Sequence, residues 1–434
     1  MDIIQVTVDS VRADHCGWLT DGDGDGQPDL TPTLDGLAAD SVTFSTAIAP
    51  GPRTPSSVPV SHTGVHFPPN EHGTVTYEQR AARIRSHIER CETVSQSLRE
   101  AGYTTMAFTA NPWTTTNTSF DLGFDEFSEV GRTGGGIWSH FQGTLLDRPA
   151  RLFDRWIHDD TWFCRWRSFY DEVVSTIEAA DGPVYAWVFL LDPHNPYLVP
   201  RSDRHECSTA GMYSAVVRAN QILTDADGGT AIEDSVDEKT VERLRHAYRD
   251  CIRSVDTFID RLLSDIGDDA MFVFHSDHGE AFGEHGQFGH SPSLFEENVH
   301  VPALVHGVGR SETVEEPFST ANLADVIRSY ARDEDAHPTR WTSDHAVARV
   351  EDDSAIALRG TRWKYIRRDS DEVLYDLCED PNERRDVSED RSMVWEAFRR
   401  KCDAHLDSLP ESQSAAGAAD DGEVKQHLES LGYL

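Results

Sequence analysis

Lysine is nearly absent from this 434-residue chain: four Lys stand beside 35 Arg, and these 39 basic residues face 76 acidic ones. The formal net charge is −37 at pH 7. A surface of that sign repels nucleic acids and anionic membranes, so we expect no nucleic-acid partner. Our hypothesis for the acidity is a halophilic protein, because concentrated salt screens most of the repulsion between like surface charges.

The chain also lacks any apolar run of 18 residues, which argues against a membrane span. Its N-terminus enters the strand-like segment "IIQVTV" at residue 3, which leaves no room for the basic and apolar regions of a secretory leader. We therefore expect a cytoplasmic protein.

Cysteine pairs are missing as well. The seven cysteines lie at positions 16, 91, 164, 207, 251, 378 and 402, without any CxxC spacing. This odd, scattered set argues against a disulfide framework and against a structural zinc site, so buried free thiols are expected.

Four apolar segments predict buried strands: "IIQVTV" (3–8), "TTMAFTA" (104–110), "VYAWVFLL" (184–191) and "AMFVFHS" (270–276). Helical patterns lie between them, for example at 91–103 and 241–267. This alternation predicts an α/β fold with a largely parallel sheet sandwiched by helices.

The C-terminal region has a different pattern. Segments 355–368 and 372–377 predict two strands joined by a polar turn. We expect a main domain at 1–320 and a smaller α+β subdomain with a tail at 321–434.

Polar residues follow each of the four predicted strands: Asp9, Asn111, Asp192 with His194, and Asp277 with His278. Ligands of open α/β sheets bind beyond the carboxyl ends of the strands. Four polar strand ends therefore predict a functional site at one edge of the sheet.

The run "SDHGEAFGEHGQFGH" (276–290) carries the strongest chemical signal. Asp277 and His278 lie just past a strand end, where both can converge on one cation together with Asp9. Oxygen and imidazole ligands suit one divalent ion such as Mg, Mn, Ca or Zn. The alternative is a polar loop with incidental histidines.

A second stretch, "GPRTPSSVPVSHTG" (51–64), contains Thr54 followed by Pro55. Pro55 suits a first helical position with Thr54 as the N-cap, while Pro59 suggests an irregular first turn. A hydroxyl there faces the positive end of a helix, which attracts anionic esters. The alternative is an ordinary threonine in a proline-rich turn.

Several segments, in order, resemble the sulfatase family of the alkaline phosphatase superfamily. They are "VTVDSVRADHCGW" at the start, "TPTLDGLAADSVTFSTAIAPG" (31–51), "NPWTTTNTSFDLGFDEF" (111–127), "DPHNPY" (192–197), "SDHGEAFGEHGQFGHSPSLFEENVHVPALV" (276–305) and the region 358–387. The resemblance covers nearly the whole chain and implies an alkaline-phosphatase-like fold.

The resemblance also implies roles for individual residues. It implies one divalent cation held by Asp9, Asp277 and His278, with Thr54 as the nucleophile and a further ligand. His194 resembles the family's active-site histidine, which protonates the leaving group or stabilises its charge. His290 is a second candidate for that role, whereas His285 and Glu280 are expected to be structural. Asn111 is a candidate substrate ligand, and Arg12 either steers the substrate or forms an ion pair.

The chain departs from the family pattern at its most diagnostic positions. True sulfatases carry a Cys or Ser that is oxidised to formylglycine, and Thr54 cannot form that aldehyde. Val58 replaces the arginine of the motif, and Ser10 replaces an aspartate of many relatives. The family's sulfate-binding Lys/His pair has no counterpart in "FTANPW", where Asn111 could donate a hydrogen bond instead, and His290 stands where many relatives have a lysine. Because threonine nucleophiles occur in phosphoryl-transferring branches, the hydrolysed ester is either a sulfate or a phosphate.

The segment "DGDGDGQPD" (21–29) partly matches a calcium loop. Asp21, Asp23, Asp25 and Asp29 fall at ligand positions, but Pro32 replaces the bidentate glutamate. The open readings are a structural calcium site and a solvated acidic loop.

The leading hypothesis is a metal-dependent hydrolase of a small anionic ester, such as a sulfated or phosphorylated glycan. One alternative is a two-metal phosphodiesterase or phosphotransferase, for which Asp192, His194 and His290 would have to supply ligands. Another is a non-catalytic descendant that binds anionic glycans and keeps the metal for stability. Trp-containing segments at 134–141 and 155–166 could stack on a sugar or pack in the core.

Overall fold

The computed structural model describes residues 1–20, 30–70, 76–130, 165–227, 236–267, 269–332, 334 and 337–410, with backbone only for 219–227. The segment 21–29, which carries the candidate calcium ligands Asp21, Asp23, Asp25 and Asp29, lies outside these residues, as do 134–141 and 155–164. In the part of the chain that is described, no helix has the length and apolar character needed to cross a membrane.

The secondary structure alternates between strands and helices through the first 300 residues. The strands are β1 Ile3–Val8, β2 Ser41–Phe44, β3 Ala47–Ile48, β4 Thr104–Thr109, β5 Glu126–Glu129, β6 Val184–Leu190, β7 Met271–Ser276, β8 Ala281–Phe282, β9 Phe288–Gly289, β10 Ala303–His306, β11 Glu312–Val314, β12 Phe318–Ser319, β13 Ala346–Arg349, β14 Ala355–Arg359, β15 Trp363–Arg368 and β16 Asp371–Asp376. The α-helices are Pro32–Ala38, Thr54–Thr63, Tyr77–Arg90, Val94–Glu100, Tyr170–Ala179, Thr209–Asp227, Glu238–Ile266, Glu296–Val299, Leu323–Ala331 and Ser392–Ser408.

An eight-stranded sheet in the order β11-β2-β10-β7-β1-β6-β4-β5 forms the centre of the molecule. Strands β7, β1, β6, β4 and β5 are parallel, and β1 pairs along its whole length with both β6 and β7. Strand β10 runs antiparallel to both of its neighbours. The expected largely parallel α/β sheet is therefore confirmed, and the four predicted strands are β1, β4, β6 and β7.

Helices cover both faces of this sheet. Ile4, Val6 and Val8 of β1 belong to one apolar cluster, together with side chains of the helices Tyr170–Ala179 and Glu238–Ile266. Ile3 belongs to the cluster on the opposite face, which is closed by the helices Thr54–Thr63, Tyr77–Arg90 and Leu323–Ala331. Burial on both faces explains why the central strands read as continuous apolar runs.

The C-terminal region contains a second sheet, the antiparallel meander β13-β14-β15-β16. Our prediction of one strand over 355–368 was wrong, because the chain reverses at residues 360–362, where Gly360 N donates to the Trp363 carbonyl at 2.8 Å. Ala346 and Ala348 of β13 face Leu294 and Ile48 of the main body. The alternate residues of the meander pack on the helix Ser392–Ser408. A β-meander with one helix accounts for the expected α+β character.

Candidate metal centre and active site

Four neighbouring parallel strands, β7, β1, β6 and β4, end at the same edge of the sheet. Asp9 follows β1, Asn111 follows β4, Asp192 follows β6 and Asp277 follows β7. Two of these residues continue the strand ladder by one hydrogen bond, from Asp9 N to the Leu190 carbonyl at 2.9 Å and from Asp277 N to the Val8 carbonyl at 3.1 Å. The regular sheet geometry thus fixes the backbone beneath both carboxylates.

Asp9, Asp277 and His278 offer three potential ligand atoms that all lie within 4.8 Å of one another. All three side chains are fully buried. His278 Nδ1 donates to the Gly279 carbonyl at 2.8 Å, which leaves Nε2 as the ligand atom. Among the described residues, this is the group of three that satisfies metal-ligand spacing. The Asp192 carboxylate lies outside it and accepts a hydrogen bond from Trp166 N at 3.2 Å.

The two carboxylates carry opposite pKa shifts. Burial and the neighbouring Asp9 raise the pKa of Asp277 well above its usual value. Burial opposes ionisation of Asp9, but His194, His278 and His290 together lower its pKa. Two buried carboxylates this close to each other therefore favour a nearby positive charge. A divalent cation supplies that charge, and two carboxylates with one imidazole are ligands that Mg, Mn, Ca and Zn accept. The residues present therefore fit a divalent metal.

Ser10 fixes the orientation of both carboxylates. Its hydroxyl donates to Asp9 Oδ1 at 2.7 Å, and its backbone N–H donates to Asp277 Oδ1 at 3.2 Å. The backbone of Ser10 adopts a left-handed conformation with φ of 66°. A non-glycine residue in that conformation is strained by about 1–3 kcal/mol, a cost that recurs at functional sites.

The Thr54 hydroxyl lies among these three side chains. It donates to Asp277 Oδ2 at 2.9 Å and is 3.5 Å from both Asp9 Oδ2 and His278 Nε2. Thr54 is fully buried and is the first residue of the helix Thr54–Thr63. We predicted Thr54 as the N-cap, but Arg53 holds that position because its carbonyl accepts from Ser56 N and Ser57 N. Pro59 lies within the helix.

Asn111 contacts both Thr54 and one of the candidate metal ligands, Asp9. Trp113 N donates to Asn111 Oδ1 at 2.9 Å, which fixes the amide so that Nδ2 is directed towards the site. Nδ2 then donates to Asp9 Oδ2 at 2.9 Å and to Thr54 Oγ1 at 3.3 Å. An N–H in this position also suits an ester oxygen bound beside Thr54.

Two further histidines extend the site away from His278. The ring centroids of His278 and His290 are 5.1 Å apart, and those of His290 and His194 are 4.8 Å apart. His194 Nδ1 donates to the Asn195 carbonyl at 2.6 Å. Burial, His194 and Arg53 lower the pKa of His290 well below its usual value, which favours the neutral imidazole. Glu280 Oε1 lies 3.8 Å from His290 Nδ1.

Arg12 and His285 lie in a neighbouring region of the molecule. Arg12 forms ion pairs with Asp14 at 2.6 Å and Glu284 at 2.9 Å. With His285 it lines a cavity of about 630 Å³ between the main body and the C-terminal region. His285 Nδ1 pairs with Glu297 at 2.8 Å.

Sequence reasoning missed three side chains that border this site. Ser57 Oγ donates to the Asp277 carbonyl at 2.6 Å. Arg53 Nε donates to the His290 carbonyl at 2.9 Å, and Arg53 pairs with Glu351 at 3.3 Å. The position of Arg53 next to Thr54 was a usable signal, whereas Glu351 lies 298 positions from Arg53 in an acidic turn without a recognisable motif.

Comparisons with known proteins place the chain among sulfatases. The sulfatase family model matches residues 2–331. A multifunctional alkaline phosphatase superfamily protein, PehA from Trinickia caryophylli, is 23% identical over 393 residues, which cover 73% of this chain and 71% of the relative. A choline-sulfatase from Rhizobium meliloti (strain 1021) is 28% identical over 312 residues, 62% of this chain and 60% of the relative.

Solved structures share the fold across almost the full length. A phosphonate monoester hydrolase of Agrobacterium radiobacter superposes with a TM-score of 0.65 at 18% identity, covering 94% of this chain and 95% of that one. A protein solved with its substrate D-glucosamine-2-N,6-O-disulfate superposes with a TM-score of 0.64 at 15% identity, covering 95% and 99%. At sequence identities of 15% and 18%, these similarities are evidence for a shared fold and for nothing beyond it.

Proposed function

Since this chain belongs to the sulfatase family, whose members hydrolyse sulfate and related phosphorus esters, we propose that it is a metal-dependent ester hydrolase with Thr54 as its nucleophile. The observation that carries this proposal is the position of the Thr54 hydroxyl within 3.5 Å of all three candidate metal ligands. A buried threonine with only a structural role has no need of two carboxylates and an imidazole around its oxygen.

Asp9, Asp277 and His278 would hold the cation, with Thr54 Oγ1 as the fourth donor. When bound, a divalent cation supplies positive charge that polarises the ester and favours the ionised form of a nearby hydroxyl. The Thr54 hydroxyl donates to Asp277 Oδ2. A bound cation would keep this carboxylate ionised despite its raised pKa, and it is then the base nearest to the proton that leaves during attack. Asn111 Nδ2 holds the nucleophile oxygen in place from the other side.

His194 is our candidate for proton transfer to the leaving group. Because its Nδ1 hydrogen is committed to the Asn195 carbonyl, Nε2 is the atom that exchanges protons. As an imidazolium, His194 donates a proton to the departing alkoxide; as a neutral imidazole, it then accepts a proton from the water that cleaves the Thr54 ester. His290 stands beside it, where a neutral imidazole contributes a hydrogen bond to an ester oxygen.

Threonine chemistry favours a phosphorus ester within this proposal. Attack by Thr54 Oγ1 on the central atom forms a threonine ester and releases an alcohol. Thr54 carries one hydroxyl on its β-carbon, so the threonine ester cannot collapse to an aldehyde and must be hydrolysed by water at sulfur or phosphorus. Water then regenerates the threonine hydroxyl and releases the inorganic or phosphonic acid. Phosphate and phosphonate esters, including phosphorylated glycans, are therefore the preferred substrate class, with sulfate esters as the second.

The test is hydrolysis of p-nitrophenyl sulfate, phosphate, a phosphodiester and a phosphonate monoester in high salt with Mn, Mg, Ca or Zn. We expect metal-dependent turnover that falls by at least about 10³-fold in Thr54→Ala. Thr63→Ala is the matched control, because Thr63 is a buried threonine of the same helix that bonds Pro59 and His87. Equal activity in both variants would contradict the assignment, and metal binding without turnover of any ester would favour the non-catalytic alternative.

A further inference from the structure

The loop that contains His290 packs against the C-terminal sheet. Leu294 belongs to the same apolar cluster as Ala346 and Ala348 of β13. Arg368 Nη2 of β15 donates to the Pro292 carbonyl at 3.3 Å. The C-terminal sheet thus supports the loop between β9 and the helix Glu296–Val299.

The segment that precedes Thr54 rests on the same sheet. Arg349 N at the end of β13 donates to the Pro50 carbonyl at 2.8 Å. A β-carbon added to Gly51 would lie 2.8 Å from the Arg349 carbonyl and 2.3 Å from Ser56 Oγ. Only glycine allows this close backbone approach. The C-terminal sheet therefore contacts the segments of both Thr54 and His290, through β13 and β15.

A charged link joins these two segments. Arg53, which precedes Thr54, donates from Nε to the His290 carbonyl at 2.9 Å and from Nη1 to Glu351 Oε1 at 3.3 Å. Arg80 Nη2 reaches the same carboxylate at 2.9 Å. The Glu351 side chain is 7% exposed, and although burial opposes its ionisation, Arg53 and Arg80 lower its pKa. The Glu351 carboxylate thus holds Arg53 and Arg80 through charge-assisted contacts to the same oxygen, Oε1.

We propose that Glu351 is a positioning residue which, by orienting Arg53, sets the spacing between Thr54 and His290, so that the C-terminal sheet completes the active site. This inference rests on the proposed roles of Thr54 and His290. Glu351 acts through Arg53 and need not touch the substrate. Its removal should therefore change the rate of the chemical step more than substrate binding.

The test is a double-mutant cycle on turnover with Glu351→Gln, Arg53→Met and the double variant. We expect kcat to fall about 10- to 100-fold in each single variant, as for other supports of active-site groups, with KM within about threefold. The double variant should be no slower than the slower single variant, because both changes remove the same Arg53–Glu351 ion pair. Bound Mn²⁺ should be unchanged. The matched control is Asp376→Asn, which breaks the 2.6 Å Arg362–Asp376 pair of the same sheet.

Additive losses in the double variant, or kcat in Glu351→Gln equal to that in Asp376→Asn, would overturn the positioning role while leaving Thr54 as the nucleophile. If no ester is turned over by the wild-type protein, the proposed function fails and a second readout decides the positioning claim. In ¹³C-histidine-labelled protein, the His290 ring signal, assigned with His290→Gln, should shift or broaden in Glu351→Gln but not in Asp376→Asn. An unchanged signal would refute the link.

Discussion

At the residue scale, the site is defined by how little water reaches it. Asp9, Thr54, Asp277 and His278 have no exposed surface, although three of them are ionisable. Their charges therefore respond to one another more strongly than surface charges do. The sequence predicted that these four residues lie close together, because each follows a strand end or lies in a segment that resembles the family. It could not predict the orienting bonds of Ser10 and Asn111, which depend on backbone angles and on contacts over more than 100 positions.

Asp277→Asn tests the metal site directly. The amide keeps the shape but removes a charge, so we expect the affinity for Mn²⁺ to fall more than about 100-fold. The melting temperature of the metal-free protein should not fall, because the variant removes a carboxylate that competes with Asp9 for a proton. Calorimetric titration and thermal melts with and without chelator measure both quantities.

Asp192→Asn is the matched control for that experiment. Asp192 is also buried and also follows a central strand, and burial raises its pKa to about 6, but it lies outside the ligand cluster. A loss of Mn²⁺ affinity in Asp192→Asn as large as in Asp277→Asn would favour the two-metal alternative over the single site.

At the element scale, the sequence predicted the central strands well and the helix Thr54–Thr63 poorly. Strand β1 begins and ends where its apolar run does, at Ile3 and Val8. The helix Thr54–Thr63 is buried on every side, so it carries no amphipathic pattern from which its bounds could be predicted. Strand β10 was not predicted either, because its antiparallel pairing with β7 depends on tertiary contacts that its four residues, ALVH, do not encode.

The burial of His62, in the helix Thr54–Thr63, predicts that the protein is less stable in acid. Burial among Phe120, Phe124 and Trp187 lowers its pKa from 6.5 to about 3. The unfolded chain therefore binds a proton that the folded state excludes, so stability is full above pH 6.5 and declines as the pH falls towards 3. Between pH 7 and pH 5 this one group should cost about 2 kcal/mol of unfolding free energy.

Urea unfolding of wild type and His62→Gln at the two pH values measures this contribution. The variant should lose about 2 kcal/mol less than wild type on acidification, whereas the exposed-site control His337→Gln should follow wild type. Parallel pH dependence of wild type and His62→Gln would show that the imidazole is charged in the folded state.

The C-terminal sheet is tied to the main body by a buried ammonium group. Lys364 has no exposed surface and pairs with Glu296 at 2.9 Å and Glu383 at 2.8 Å. Lys364→Met leaves the buried Glu383 carboxylate without its cation, whereas Glu296 keeps its pair with Arg359 at 3.2 Å. We therefore expect a loss of about 3–5 kcal/mol in urea unfolding. Lys401→Met breaks a more exposed pair with Asp344 and should change stability by less than about 1 kcal/mol. Equal effects would show that water reaches Lys364.

At the scale of the whole molecule, the excess of acidic residues dominates the behaviour in solution. With a formal net charge of −37, the acidic side chains repel one another. Salt shortens the range of that repulsion from about 30 Å at 0.01 M to about 3 Å at 1 M. The composition alone predicts this property, since net charge requires no knowledge of the fold.

We expect the melting temperature to rise steadily from dilute buffer to molar KCl, consistent with the halophilic hypothesis. Sucrose, which strengthens burial without screening charge, is the control and should produce a smaller rise at matched osmolality. A flat melting temperature in KCl, or an equal rise in sucrose, would contradict an electrostatic origin.

The most direct test of the central claim is the covalent state of Thr54 during turnover. The protein is mixed with its preferred ester and Mn²⁺, quenched in acid within one turnover, digested and analysed by mass spectrometry. The account predicts a phosphoryl or sulfuryl group on the Thr54 hydroxyl of the peptide that contains residues 51–64. Turnover with that peptide unmodified, and with Thr54→Ala fully active, would show that Thr54 is not the nucleophile.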